Sequence, residues 1–302
     1  MIFSAFSFLF NIPEANAEND LVPQAFIQGP LKNYSAEEQA LIQIDQHNIE
    51  TLAFYQKTRI EDGQQPVYIA TAGGPGAGKS TILENYLYDK ENFVYTDPDP
   101  RTLKFMIMTY LQELTYGKIS LSKSYLILQE KAYTKWRDAS NYIATSILNK
   151  AFEGHYSIAH GTTSSNKAIE NLYKKLKENG YKILLLLCAA PDETRQKAIE
   201  HRIKSQAFYQ STPEDVLTKG EAFLENFPIY FTYADEIEIY WTEDVMKGSE
   251  KTALFKRGKS YEILNHSAFE KFREFYKKKP LEKKAKEKLL PLDDVIKFMS
   301  YS

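Results

Sequence analysis

Short apolar runs punctuate the 302-residue chain and mark its strands. Val67-Tyr68-Ile69-Ala70-Thr71-Ala72 groups β-branched and apolar residues over six positions and predicts a strand. Phe93-Val94-Tyr95-Thr96 predicts a second and His155-Tyr156-Ser157-Ile158-Ala159 a third, while Asp235 to Trp241 alternates polar with apolar and predicts a further one. Ile183 to Ala189 is apolar at every position, the pattern of a central parallel strand buried on both faces.

Between these runs the spacing is helical. Leu41, Ile42, Ile44, Ile49, Leu52 and Tyr55 predict a helix over about 36–59, opened by the capping box Ser35-Ala36-Glu37-Glu38 and ended before Gly63. Residues 101–116 and 121–153 read as helix, with breaks near Gly117 and at Gly154; 166–179 reads as another, stopped by Gly180 with lysines in its last turns. Pro191-Asp192-Glu193 starts a helix carrying Arg195 and Arg202, and Thr212-Pro213-Glu214-Asp215 starts one more. Residues 242–265 predict a hairpin around Lys256-Arg257-Gly258-Lys259.

Strands alternating with helices, the apolar central run, and the phosphate-loop motif from Gly73 to Thr81 directly after the first core strand together imply a doubly wound, mostly parallel α/β sheet of the P-loop nucleotide-kinase type, with helical additions at both ends. The expected organisation is an extended N-terminal arm (1–34), a kinase-like domain (35–265) and a basic C-terminal helical tail (266–302). From Lys271 to Lys288 the chain has nine Lys or Arg against three Glu, the composition of a solvated helix or of a contact for a phosphate-rich or membrane partner. Net charge is −2, which gives no argument for nucleic acid, and no apolar run is long enough to span a membrane. The single cysteine, Cys188, lies within the apolar strand run, so it reads as a buried apolar side chain in a reducing, cytoplasmic setting. Residues 2–10 are apolar and precede Ala15-Asn16-Ala17, the outline of a cleaved signal, but with no Lys or Arg before them they read first as a flexible or loosely docked apolar arm; a secreted or translocated effector stays open.

The chemistry centres on Gly73-Gly74-Pro75-Gly76-Ala77-Gly78-Lys79-Ser80-Thr81, which fits G-x-x-x-x-G-K-[ST] at every fixed position. Glycine lets backbone N–H groups curl around a phosphate chain with no Cβ in the way. Lys79 can then reach the β- and γ-phosphates of ATP or GTP, Ser80 can ligate Mg²⁺, and the following helix adds its N-terminal partial charge. A P-loop alone means nucleotide binding, so a reaction must come from other residues. Asp97 and Asp99 follow the second strand, where ligands of open α/β sheets sit. Either can take the proton of an acceptor hydroxyl or hold Mg²⁺ through water, and the alternative is an Asp-Pro turn in which both only cap the loop. Arg202, seven residues after Arg195 on one helix face, can stabilise a transferring phosphoryl group or form a surface salt bridge. His160 and Thr162 end the third strand, where acceptor contacts belong; Asp97, Arg101, His160 and Thr162 are the substrate-side candidates. Trp136 and its aromatic neighbours read as core or pocket wall.

These motifs in this order, with Gly180-Tyr181-Lys182 and the strand end Ala189-Ala190-Pro191, resemble the zeta toxin family of P-loop kinases over about residues 66–241. The resemblance implies phosphorylation of a hydroxyl of UDP-N-acetylglucosamine with ATP or GTP and Mg²⁺, and an antitoxin or host protein as partner. It makes Lys79 the phosphate-binding lysine, Ser80 the metal ligand, Asp99 the base, Arg202 a phosphate-binding arginine and Thr162 an acceptor contact. The chain departs from the family at His160 in place of Glu and at Ser164, Ala144 and Gln210, where Arg, Glu and Arg are expected. The competing reading is a nucleotide-binding regulator or NTPase switch that phosphorylates no acceptor.

Overall fold

β1 (Val67–Ala72) lies inside the sheet, between two parallel neighbours, and is buried along all but its first residue. The computed structural model describes residues 20–22, 29–120, 125–205, 216, 222–244, 246–282 and 289–300. The other strands among them are β2 (Val94–Thr96), β3 (Ile158–His160), β4 (Lys182–Ala189), β5 (Glu236–Asp244), β6 (Gly248–Lys256) and β7 (Glu262–Ile263). Their order is β2-β3-β1-β4-β5-β6-β7. The first five are parallel, and β6 and β7 add an antiparallel edge. After β1 the chain winds to one side and then, at β4, to the other, so the end of β1 opens at the switch point of a doubly wound sheet.

Side chains alternate across a strand, and here that alternation divides the interior into two cores. Tyr68, Ala70 and Ala72 join Ile183, Leu185 and Leu187 on one face; Ile69 joins Leu184, Leu186 and Cys188 on the other. Five helices begin the chain-order series: α1 (Ala36–Phe54), α2 (Lys79–Leu87), α3 (Gln112–Ser120), α4 (Tyr125–Glu153) and α5 (Ile169–Glu178). Ile82 and Leu83 of α2 cover the second face. On the first face α4 buries Ala132, Trp136, Ala139, Ile143, Ile147 and Ala151, one residue every three or four.

The remaining helices are α6 (Asp192–Ser205), α7 (Phe227–Tyr233), α8 (His266–Glu282) and α9 (Leu292–Ser300). Phe272 and Tyr276 of α8 pack on Phe227, with ring centroids 6.1 and 5.1 Å apart, and Val295 and Met299 of α9 enter the same core. The basic run thus begins on a helix whose aromatic face is buried while Lys271 points outward to Glu243.

Several boundaries differ from the sequence expectation for local reasons. The capping box at Ser35 forms, with its Oγ accepting from Glu38 N at 3.2 Å, but α1 ends at Phe54. The third strand starts at Ile158 because His155 takes a left-handed conformation (φ 57°) as the chain leaves α4. Residues 101–116 are not one helix. A π-turn at Pro98–Thr102 and a 3₁₀ turn at Leu103–Phe105 are followed by a second π-turn at Ile107–Leu111, and α3 then runs through Gly117. Two causes are on view: Pro100 has no N–H, and the buried Asp45 captures Met108 N at 2.9 Å and Thr109 Oγ1 at 2.7 Å. β6 and β7 make the expected hairpin near Gly258, and the larger hairpin is β5–β6. The helix expected from Thr212, Gln210 and the apolar residues 1–17 lie outside the described residues.

Before α1, Tyr34 stacks on Trp136 with centroids 5.4 Å apart and planes 8° apart. Its hydroxyl donates to Lys135 O at 2.6 Å and accepts from Ala139 N at 3.2 Å, so it inserts between two groups that would otherwise bond each other within α4.

Asp45 supplies a stability test. Asp45→Ala strands a buried backbone donor and a buried hydroxyl, each worth about 1–3 kcal/mol when orphaned. Urea unfolding should show that loss, with Asp45→Asn losing less; a change below about 0.5 kcal/mol for the alanine variant contradicts the role assigned to Asp45.

Candidate active site

The carboxyl ends of β1, β2 and β3 face a cleft of about 260 Å³. Pro75, Gly76, Gly78, Lys79 and Ser80 form one wall with Arg202. The loop can pass there only as glycine. A Cβ on Gly73 would lie 2.2 Å from the Cys188 carbonyl oxygen, and one on Gly76 would lie 2.4 Å from that of Arg195. Gly73 N donates to Thr163 O at 3.1 Å, which ties the loop to the end of β3. Gly73, Gly74 and Ala77 are buried in the body of the loop, and Thr81 faces outward on α2.

Lys79 folds back over the loop and donates to Gly74 O at 2.9 Å. Burial lowers its ammonium to about 8, and among the described residues it pairs with no carboxylate. A half-buried cation over a loop whose glycines leave the space a Cβ would fill is the arrangement that a phosphate chain completes. Ser80, beside it in the cleft, has the hydroxyl suited to Mg²⁺, and Asp97 and Asp99 supply carboxylates on the facing side.

The two arginines of α6 divide their tasks. Arg195 is buried beneath the loop, where its guanidinium bonds Val216 O, Pro75 O and the Asp192 carboxylate. Arg202, two turns later, opens into the cleft, where burial lowers its pKa and the Asp97 charge opposes that shift.

Asp97 and Asp99 both reach the cleft, from the turn that follows β2. Asp97 Oδ1 accepts from Asp99 N at 2.9 Å, and Gly161 leaves its other oxygen room, since a Cβ there would lie 1.9 Å from Oδ2. Burial raises the Asp97 carboxyl to about 7, against the pull of Lys79, Arg137 and Arg101. Asp99 pairs with Arg137 of α4. Arg101, a sequence candidate for substrate, is not part of the cleft lining: its guanidinium lies 4.5 Å from the Tyr95 ring centroid and 3.4 Å from Glu84.

On the acceptor side the residues that break the family pattern have structural tasks. Ser164 (φ 51°) donates to Thr71 O, and its carbonyl accepts from Asn226 and Tyr230. Ala144 is buried, with its carbonyl bonded to Thr96 Oγ1 at 2.6 Å. His160 Nδ1 meets Tyr68 OH at 2.7 Å, and burial pushes its imidazole down to about 4, so it is neutral at pH 7. Thr162 Oγ1 accepts from Ser164 N at 3.1 Å while lining the cleft. Tyr133, Arg137 and Asn141 complete the wall, and the sequence reading overlooked all three. Their i, i+4, i+8 spacing on one helix face was the available signal.

The raised Asp97 carboxyl sets a pH test. The folded protein holds that proton more tightly than an unfolded chain with the ordinary value of 3.8, so this group's contribution is fully present below about pH 4 and is lost as pH rises towards 7. Asp97→Asn should remove that slope, so its stability relative to wild type improves between about pH 4 and 7; parallel urea-unfolding midpoints across that range contradict it.

The comparisons with known proteins agree with this architecture. At 17% identity and a TM-score of 0.53, the AvrRxo1-ORF1:-ORF2 structure with ATP matches over 80% of this chain and 73% of that one. A structure from the PezAT chromosomal toxin–antitoxin system of the human pathogen Streptococcus pneumoniae matches at 17% identity and a TM-score of 0.53, over 69% of this chain and 79% of that one. Likeness at that identity shows a shared fold. No curated protein sequence matches significantly. The family profile described as Zeta toxin matches residues 51–218, more than half of the chain, and the chain therefore belongs to the zeta toxin family.

Proposed function

We propose that the protein is an ATP- or GTP- and Mg²⁺-dependent phosphotransferase that phosphorylates a hydroxyl of a small acceptor. The observation that carries this reading is the convergence in one cleft of the P-loop residues Lys79 and Ser80 with Asp97, Asp99 and Arg202. Lys79 and Arg202 hold the transferring phosphoryl group and balance charge that grows in the transition state. Asp99 orients the acceptor hydroxyl and takes its proton, while Asp97, buried and bonded to Asp99 N, fixes the turn. Mg²⁺ bound with the nucleotide supplies further neutralisation at the phosphates, with Ser80 as its protein ligand. Arg195 acts beneath the loop by fixing Pro75. The proposed catalytic unit spans 35–265, with Tyr34, α8 and α9 completing its core.

The acceptor wall supports a changed specificity. Where the family resemblance implies acidic and basic contacts to a sugar nucleotide, this chain has a neutral His160, a structural Ser164 and a buried Ala144, and it offers Tyr133, Arg137 and Asn141 instead. One related structure is of an ORF1:ORF2 pair and another comes from a toxin–antitoxin system, which supports a protein partner such as an antitoxin. We place the activity in a cytoplasm, the cell's own or that of a host into which the protein is delivered. No described helix is long and apolar enough to cross a membrane.

Two measurements test the reading. Lys79→Ala and Asp99→Asn should each lower phosphoryl transfer by on the order of 10²-fold or more, with Asp99→Asn still binding nucleotide; Asp97→Asn should do less. Transfer within a few-fold of wild type after Lys79→Ala overturns the P-loop assignment, and greater damage at Asp97 moves the base to that residue. For UDP-N-acetylglucosamine, each missing polar contact costs about 1–3 kcal/mol, so kcat/KM should be low; a value near or above about 10⁴ M⁻¹s⁻¹ rejects the altered acceptor.

A further inference from the structure

Opposite the P-loop, α4 presents Tyr133, Arg137 and Asn141 to the cleft from three successive turns. Arg137 Nη1 donates to Asp99 Oδ1, and the guanidinium carbon lies 5.5 Å from the Tyr133 ring centroid. The side chains of Arg137 and Asp99 are 27% and 18% exposed, so a ligand entering the cleft can reach both. We infer that Arg137 is a latch on Asp99: it holds the carboxylate while the cleft has no acceptor, and an oxyanion carried by the acceptor, phosphate or carboxylate, draws it away. The inference rests on the phosphotransferase reading above and names the acceptor class that this reading left open.

Three features support the latch. The first is the distribution of charge. Among the described residues that line the cleft, the cations are Lys79, Arg202 and Arg137; the first two stand with the P-loop, and Arg137 stands alone on the acceptor wall. An anionic group on the acceptor has that guanidinium as its partner.

The second is the fastening of the turn that carries Asp99. Ser140 Oγ donates to Pro98 O, Thr102 Oγ1 donates to Asp97 O at 2.9 Å, and Asp97 Oδ1 accepts from Asp99 N. The turn that carries Asp99 is therefore fastened to α4 just beyond Arg137. Release of the carboxylate needs a change of side-chain rotamer and no movement of backbone.

The third is the ease of the exchange. A partly exposed ion pair contributes little net energy, and a guanidinium donates to phosphate and carboxylate oxygens alike, often through two parallel hydrogen bonds. An incoming oxyanion can therefore replace Asp99 at small cost.

The consequence is control over which hydroxyl reacts. With Arg137 on Asp99, the carboxylate oxygen that would take a proton from water is occupied, and nucleotide hydrolysis is slow. Once the acceptor's oxyanion takes Arg137, the acceptor hydroxyl oxygen bonds to the γ-phosphorus, the bond from that phosphorus to the nucleoside diphosphate oxygen breaks, and the hydroxyl proton passes to Asp99. Without the latch, water follows the same course and releases inorganic phosphate.

The test is hydrolysis of ATP by the full chain in the absence of acceptor, at fixed free Mg²⁺. Arg137→Ala should hydrolyse about tenfold faster than wild type or more, since a positioned base contributes roughly 10²–10⁴-fold. Arg137→Lys, which keeps the charge but not the planar fork, should fall between them. Methyl phosphate or acetate titrated into wild type should raise its hydrolysis to a plateau and leave Arg137→Ala unaffected, and whichever anion acts identifies the group. No increase in Arg137→Ala, or no response of wild type to either anion, overturns the latch provided that wild-type hydrolysis is abolished by Lys79→Ala. Absence of ATP turnover in every protein, with Arg137 present or removed, overturns the latch, while the phosphotransferase reading stands or falls separately on transfer to an acceptor and its loss in Lys79→Ala. The anion titration on wild type decides the matter even if Arg137→Ala fails to fold.

Discussion

The curl of the loop from Gly73 to Gly78 depends on two backbones that leave it no side-chain room. The carbonyls of Cys188, at the end of β4, and Arg195, in α6, stand where Cβ atoms of Gly73 and Gly76 would be. Because those carbonyls belong to the strand beside β1 and to the helix that follows it, the loop's shape is set by the packing of the sheet. The second core then holds Ala77, Ile82 and Leu83 against Leu186 and Cys188, so α2 points its N-terminus at the cleft. Lys79, half-buried above this arrangement with its ammonium lowered by desolvation, is a cation suited to an anion brought from outside.

Much of this was legible in the sequence, and for identifiable reasons. The all-apolar stretch from Ile183 announced a strand covered on both faces, and it sits next to β1 at the centre of the sheet. The P-loop was readable because its requirements are local: glycines where the backbone must crowd, then lysine and a hydroxyl. The segment after Asp97 was not readable, because a buried carboxylate 50 or more residues earlier, Asp45, decides where its backbone donors go. Arg101 was misplaced for a related reason. It follows the acids in sequence, yet the π-turn at Pro98–Thr102 turns it towards Tyr95 and Glu84.

The wall opposite the P-loop was missed because its signal is weak. Tyr133, Arg137 and Asn141 run alongside the buried row of Ala132, Trp136, Ser140 and Ala144 on the same helix, and periodicity alone does not distinguish a solvated row from one that faces a cleft. Only the sheet's topology, with β2 and β3 on that side of β1, places the row against the phosphate loop. The two walls therefore have different origins. One is built from backbone that tolerates almost no change, and the other from the outward side chains of a single helix. On the proposed reading, substitution along that helix changes the acceptor while both cores stay as they are.

Tyr34 extends this point beyond the family match, which begins at residue 51. Its hydroxyl stands between Lys135 O and Ala139 N, on either side of Arg137, and its ring lies flat on Trp136. The course of α4 past the cleft is thus set partly by a residue that precedes the first helix. A fragment cut to the matched region would keep the P-loop and Arg202 but lose β5, which pairs with β4, together with the wedge that aligns the opposite wall, so the borders of a sequence family are a poor guide to the smallest piece that folds.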